Sequence, residues 1–148
     1  MGMSAAELQH YYRSASRRAG SASGDLGERT TIEELGNRSV RLRVEFDDRA
    51  ARPGGSVAGP MLFALVDSAG WIMAVAHHGA GVDAFTTDVS MQFLRPVATG
   101  VVVAQAEVLR RGRRDIIEVD IEPSPDGPAV HAVVGFVTRA AEGSSGSA

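Results

Sequence analysis

The amino-acid sequence predicts an α+β domain, in which a curled antiparallel sheet wraps around one long buried helix. Three observations carry that expectation. Residues 57–76 are almost wholly apolar with Asp67 as their single charge, and a helix without a polar face is one buried on every side. Five other segments, 39–46, 84–94, 101–109, 115–122 and 129–138, read as strands, several with the period-two alternation of a half-buried strand. Short turn-forming stretches separate the last four, as in hairpin connections, so the sheet is expected to be largely antiparallel.

The elements follow in order. Ser4-Ala-Ala-Glu7 fits a capping box, and Leu8, Tyr11, Tyr12 and Ala15 share a helical face. Arg17 and Arg18 suit that helix's C-terminal end, and Gly20 can stop it. Residues 21–27 are a small polar linker, and 29–35 fit either a short strand or a helical turn. Gly36-Asn37 then reads as a turn. Val40, Leu42, Val44 and Phe46 alternate with Ser39, Arg41, Arg43 and Glu45, one face for the core and one for water. A loop with Arg52-Pro53-Gly54-Gly55 leads into a helix over about 59–77. Pro60 suits its first turn, and Gly79 to Gly81 end it. After it, Phe85, Thr87, Val89, Met91 and Phe93 alternate with Thr86, Asp88, Ser90 and Gln92. Ile117, Val119 and Ile121 likewise alternate with Glu118, Asp120 and Glu122. The connections are Arg95-Pro96 to Gly100, an arginine-rich turn around Gly112, and Pro123 to Pro128. The expected organisation is an N-terminal helix and linker over 1–28, one domain over 29–140, and a disordered Gly/Ser-rich tail over 141–148.

Composition narrows the function. The chain has 148 residues, a formal net charge of -3 and no cysteine, and its 15 basic residues are all arginine. That length suits one domain with a real core. Without cysteine there is no disulfide scaffold, no thiolate-bound zinc, no iron–sulfur cluster and no cysteine nucleophile. The mild acidity argues against a nucleic-acid partner, whose affinity rests on many phosphate contacts. No secretory leader is expected in the first 25 residues, which hold no apolar core behind a basic start. Membrane insertion is not expected either, because Asp67 would lie at a bilayer centre with no aromatic belt or basic loop beside it. A cytoplasmic location follows as an expectation. No histidine pair stands at metal spacing with a carboxylate, so no metal is expected.

Ala58-Gly59-Pro60 through Leu65-Val66-Asp67-Ser68-Ala69 resembles the PaaI-like hot-dog acyl-CoA thioesterases of the 4-hydroxybenzoyl-CoA thioesterase-like superfamily. Thr86-Thr87-Asp88-Val89-Ser90-Met91-Gln92-Phe93-Leu94-Arg95-Pro96 is similar to that family's strand after the helix, and Arg110-Arg111-Gly112-Arg113-Arg114 to its next hairpin. The likeness spans about residues 29–140. It implies the hot-dog fold, a homodimer or a dimer of dimers, an acyl-CoA substrate whose coenzyme A moiety belongs to the substrate, and no separate cofactor. The family usually opens the helix with His-Gly-Gly. Here those positions are Ala58, Gly59 and Pro60, so the first glycine is kept, the histidine is absent and the second glycine is proline.

Thioester hydrolysis needs a donor at the carbonyl oxygen and a group that activates water or attacks carbon. The resemblance implies that Gly59 N–H is the donor, and the start of a helix suits it, since the first N–H groups lack intrahelical partners. Asp67 is the leading candidate for general base or nucleophile; a carboxylate in an apolar helix is costly without a purpose or a partner. Gly59 and Asp67 are eight residues apart, about 12 Å of helical rise, so one helix cannot bring both to one carbonyl. The site is therefore expected to be shared between two antiparallel helices across a dimer interface. Thr86 aligns with a family hydroxyl that helps to position water. Arg52 and Trp71 are candidate substrate contacts, Trp71 as one wall of the acyl pocket. Arg95, Arg110, Arg111, Arg113 and Arg114 are candidates for the phosphates of coenzyme A, which guanidinium forks match. Two alternatives differ in class. A hydratase would want a second acid–base residue near the helix, where Ala58 and Ile72 stand instead. A non-catalytic acyl-CoA or lipid-binding protein would need only the fold.

Overall fold

The structure, a computed structural model, describes residues 2–19 and 26–140. Gly20, residues 21–25 of the linker expected over 21–27, and the tail over 141–148 lie outside the described residues. Helix α1 (Ala5–Ala19) opens with the expected capping box: Ser4 N–H donates to Glu7 Oε1 at 2.9 Å and Glu7 N–H to Ser4 Oγ at 3.2 Å. Those bonds from Ser4 hold the Glu7 pKa below its usual value. The ambiguous stretch 29–35 is strand β1 (Thr30–Leu35), and the helical turn before it, α2 (Leu26–Arg29), takes in residues 26–27 of the expected linker.

The remaining elements are β2 (Ser39–Phe46), α3 (Gly59–His78), β3 (Val82–Phe93), β4 (Gly100–Arg110), β5 (Arg114–Ile121) and β6 (Val130–Ala140). They build one six-stranded antiparallel sheet in the order β1-β2-β4-β5-β6-β3, with α3 packed against β2 to β6. The core joins the inward residues of β2, β4, β5 and β6 to Leu62, Leu65, Val66, Ala69, Ile72 and Met73 of α3. Helix and sheet touch closely at Gly70, where a β-carbon would lie 2.6 Å from the side chains of Phe136 and Val134. By length and composition α3 could cross a membrane, but most of it is buried within its own sheet.

Two expectations are corrected. Residues 94–99 are not a hairpin. Strand β3 pairs with β6, whereas β4 is already paired with β2 on one side and β5 on the other. The segment therefore crosses the end of the sheet, held by Val57 N–H to the Val97 carbonyl at 2.8 Å and by a bridge between Ser56 and Ala98. The alternation expected along β3 is also broken. Thr86 pairs with Phe136 and Asp88 with Gly135, so Thr87 is an extra residue in a β-bulge. Before it the half-buried residues are Val82 and Ala84; after it they are Val89 and Met91. The inward set thus changes from even to odd numbers, and Thr86 falls on the helix side.

Candidate active site

Asp67 stands two turns into α3, half-buried. The bulge turns Thr86 towards it, and Thr86 Oγ1 donates to Asp67 Oδ1 at 2.6 Å. That bond occupies one carboxylate oxygen with a charge-assisted donor and leaves Oδ2 available for another group. The side chain of Thr87 turns instead to Asp88 Oδ1, at 2.8 Å. One helical turn before Asp67 lies Phe63, and one turn before Phe63 lies Gly59, so the three share a helix face. Phe63 is 47% exposed.

At the start of α3, Ala58 is the N-cap residue and makes no side-chain cap bond. Met61 N–H already reaches the Ala58 carbonyl at 3.0 Å, and Pro60 has no N–H. Gly59 N–H is therefore the free donor of this turn, with no protein acceptor among the described residues. A β-carbon on Gly59 would meet only Phe93, at 3.9 Å, so the backbone is open to close approach from that side. Phe93 is itself 57% exposed.

Beneath Asp67 the wall comes from α1. Trp71 stacks on Tyr11, with ring centroids 5.7 Å apart and planes 17° from parallel, and it also touches Tyr12 at 6.1 Å. Tyr12 is buried, with Ser68, Ser16 and Thr30 around its hydroxyl. Burial pushes its pKa up, the Asp67 charge adds to that rise, and the three hydroxyls oppose it.

The candidate arginines separate into two groups. Arg52 and Arg95 lie towards the N-terminal end of α3, Arg52 bonded to Ser56 Oγ at 3.1 Å and Arg95 to the Glu122 carbonyl at 3.0 Å. Arg110, Arg111, Arg113 and Arg114 surround the β4–β5 turn at the other end. Arg111 turns inward to Asp115 Oδ2 at 3.0 Å and to the Met73 carbonyl at 3.4 Å, and Arg114 pairs with Asp88 at 3.4 Å. Arg110 and Arg113 are exposed. Within one chain the structure thus brings Asp67 and Thr86 together, keeps Gly59 about two turns away, and does not gather the five phosphate candidates into one patch.

Three residues that the structure places along α3 were not singled out from the sequence as candidates for the site or its support. Phe63 was accessible through its spacing of four from both Gly59 and Asp67. Tyr12 and Asp115 carried no signal, since each gains its place from a segment distant in sequence. Asp115 is 1% exposed and accepts from His78 Nε2 at 3.0 Å as well as from Arg111, which ties the end of α3 to the β4–β5 turn.

Comparison with known proteins bears on the fold and on the stretch that carries these residues. Residues 54–122 match the thioesterase superfamily. A protein of Saccharolobus solfataricus named "Putative esterase SSO1253" is 32% identical over 90 residues, which are 61% of this chain and 59% of that protein; the chain thus spans well under two thirds of the relative's length. The thioesterase HI1161 of Haemophilus influenzae superposes with a TM-score of 0.75 at 20% identity, covering 95% of this chain and 93% of the other. A hypothetical thioesterase of Streptococcus pneumoniae, solved with coenzyme A, superposes with a TM-score of 0.67 at 21% identity, covering 76% of this chain and 88% of the other. The fold is that of the hot-dog thioesterases, and the stretch that carries Gly59, Asp67 and Thr86 is the one that matches the superfamily.

Proposed function

We propose, from this superfamily match and the Asp67–Thr86 pair, that the chain hydrolyses a small or medium acyl- or aryl-acyl-CoA thioester. The carrying observation is a carboxylate with one oxygen fixed by Thr86 and the other open, on a helix whose first N–H is unpaired. In the reaction, Gly59 N–H donates to the thioester carbonyl oxygen as it gains negative charge. Asp67 of a second chain takes a proton from water as the water oxygen bonds to the acyl carbon. The C–S bond then breaks, releasing the coenzyme A thiolate and the free acid. Asp67 can instead attack the acyl carbon itself, breaking the C–S bond and expelling the coenzyme A thiolate to form an anhydride that water later cleaves. In both routes Thr86 is a positioning residue, fixing which carboxylate oxygen faces the substrate.

Two chains are needed because the rise between Gly59 and Asp67, about 12 Å, separates donor and base within one helix. The exposed Phe63 and Phe93 beside those groups support burial of this face against a second copy. Arg52 and Arg95 near the helix start, and the exposed Arg110 and Arg113 of the opposing chain, are the proposed contacts for the coenzyme A phosphates. Burial of α3 in its own sheet supports a soluble protein, for which we propose a cytoplasmic location.

The test is hydrolysis of an acyl-CoA panel, with the released thiol detected by a colour reagent; the cysteine-free chain adds no background. Turnover by the wild type and its loss in Asp67→Asn support the reading. Full activity in Asp67→Asn overturns the site assignment. One observation favours a second reading: Ala58 stands where the resembling family has histidine. Tight acyl-CoA binding with no turnover across the panel would establish a binding protein instead.

A further inference from the structure

At the C-terminal end of α3, far from Gly59, a cavity of about 540 Å³ opens between the start of the chain, the β1–β2 turn and the β4–β5 turn. Its volume lies within the range of small-molecule sites. Asn37, Arg38, His77 and Arg111 line it, and no acidic residue does. The two guanidiniums differ in what they still offer. Arg38 donates through Nη2 to the Val108 carbonyl at 3.0 Å, and among the described residues no carboxylate pairs with it. Arg111 uses Nη1 on Asp115 and on the Met73 carbonyl, while its Nη2 is buried with no hydrogen-bond partner. The charge of Arg111 is already met by Asp115, and its closed-off Nη2 can take an incoming oxygen only when the side chain shifts, so Arg38 is the guanidinium open to a ligand. The surroundings are also electropositive. The pKa of His77 is pushed down, first by burial and then by the charges of Arg111 and His78, with Asp115 opposing.

We propose that this cavity binds a small polyanion bearing phosphate or carboxylate oxygens. Arg38 supplies the uncompensated charge, and the Asn37 amide, His77 and the Asp115-paired Arg111 supply further polar groups. Guanidinium forks match both oxygen geometries. The site is separate from the Asp67–Thr86 pair: ten residues of helix, about 15 Å of rise, lie between Asp67 and His77. It therefore stands whether or not the chain is a thioesterase.

Calorimetric titration of the full chain with pyrophosphate, and in parallel with succinate, tests it. The expected result is saturable binding of one molecule per chain by at least one of the two anions, and the stronger of the two identifies the ligand's oxygen chemistry. Arg38→Gln should weaken that binding by about tenfold or more, the scale of a hydrogen bond to a charged group, and Arg38→Lys should recover part of it. Asn37→Asp, which leaves the Arg38 contact in place and puts a negative charge in the lining, should weaken it as well. Asp67→Asn should leave it unchanged. Failure of both anions to bind at millimolar concentration overturns the proposal. So does binding that survives both Arg38→Gln and Asn37→Asp, or that disappears in Asp67→Asn.

Discussion

The two ends of α3 are built on opposite principles. The C-terminal end is tied down: His78 and Arg111 both bond the buried Asp115, Met3 N–H reaches the Ala76 carbonyl at 3.2 Å, and Gly79 N–H closes on the Val75 carbonyl at 2.7 Å. The N-terminal end has no side-chain cap, one unpaired N–H, and an exposed phenylalanine as its nearest neighbour. A helix normally gains about 1 kcal/mol from a Ser, Thr, Asp or Asn cap. Ala58 forgoes that gain, and Gly59 N–H stays free, as the proposed role of oxyanion donor requires. The anchored end fixes where the open end points.

The sharpest way to break this contrast is to remove the groups assigned to chemistry and those assigned to anchoring separately. Asp67→Asn should lower kcat/KM by about 10³-fold, within the range for a general base, while urea unfolding stays close to wild type. Asp115→Ala should do the reverse. Loss of the carboxylate leaves Arg111 as an uncompensated buried charge, so stability should fall by about 3 kcal/mol or more, read from the urea midpoint. The folded fraction should keep its kcat. If Asp115→Ala instead abolished turnover with no loss of stability, the division between the two ends would be wrong.

Thr86→Val should lower kcat by about tenfold with little change in KM, because the lost bond orients Asp67 and does not hold substrate. Thr86→Ser should restore most of the rate. A fall confined to KM would place Thr86 on the substrate instead. The smallest effect is at the anchored end. The folded His77 pKa lies below its ordinary 6.5, so the unfolded chain takes up a proton first as the pH falls through 6.5. Stability should therefore decline slightly from pH 7 towards pH 5, and the His77→Gln variant should lose that component of the slope in urea titrations.

Much of this was legible in the sequence because it rests on local periodicity. An apolar run of helical length announces α3, and a lone carboxylate within it announces Asp67. Alternation marks β2 and β5, and Ser4 with Glu7 marks the start of α1. What was not legible depends on pairing between distant segments. The bulge at Thr87 exists only against β6, so the sequence alone put Thr86 on the wrong face of β3. Residues 94–99 look like a hairpin because they are short, yet the partners of β4 are chosen by β2 and β5. His78 and Asp115 are 37 positions apart, and no spacing rule joins them.

Strand β3 carries a last consequence. Its twelve residues form one margin of the sheet, bonded among the described residues only to β6, so its outer side presents a row of backbone donors and acceptors to whatever lies alongside. If the two-chain site is correct, the natural occupant is the same strand of another copy. Folding and association then become one equilibrium, and the thermal midpoint should rise with protein concentration as mass action demands. Such a molecule would be an enzyme only above a threshold of its own abundance, and dilution would act on it as an inhibitor does.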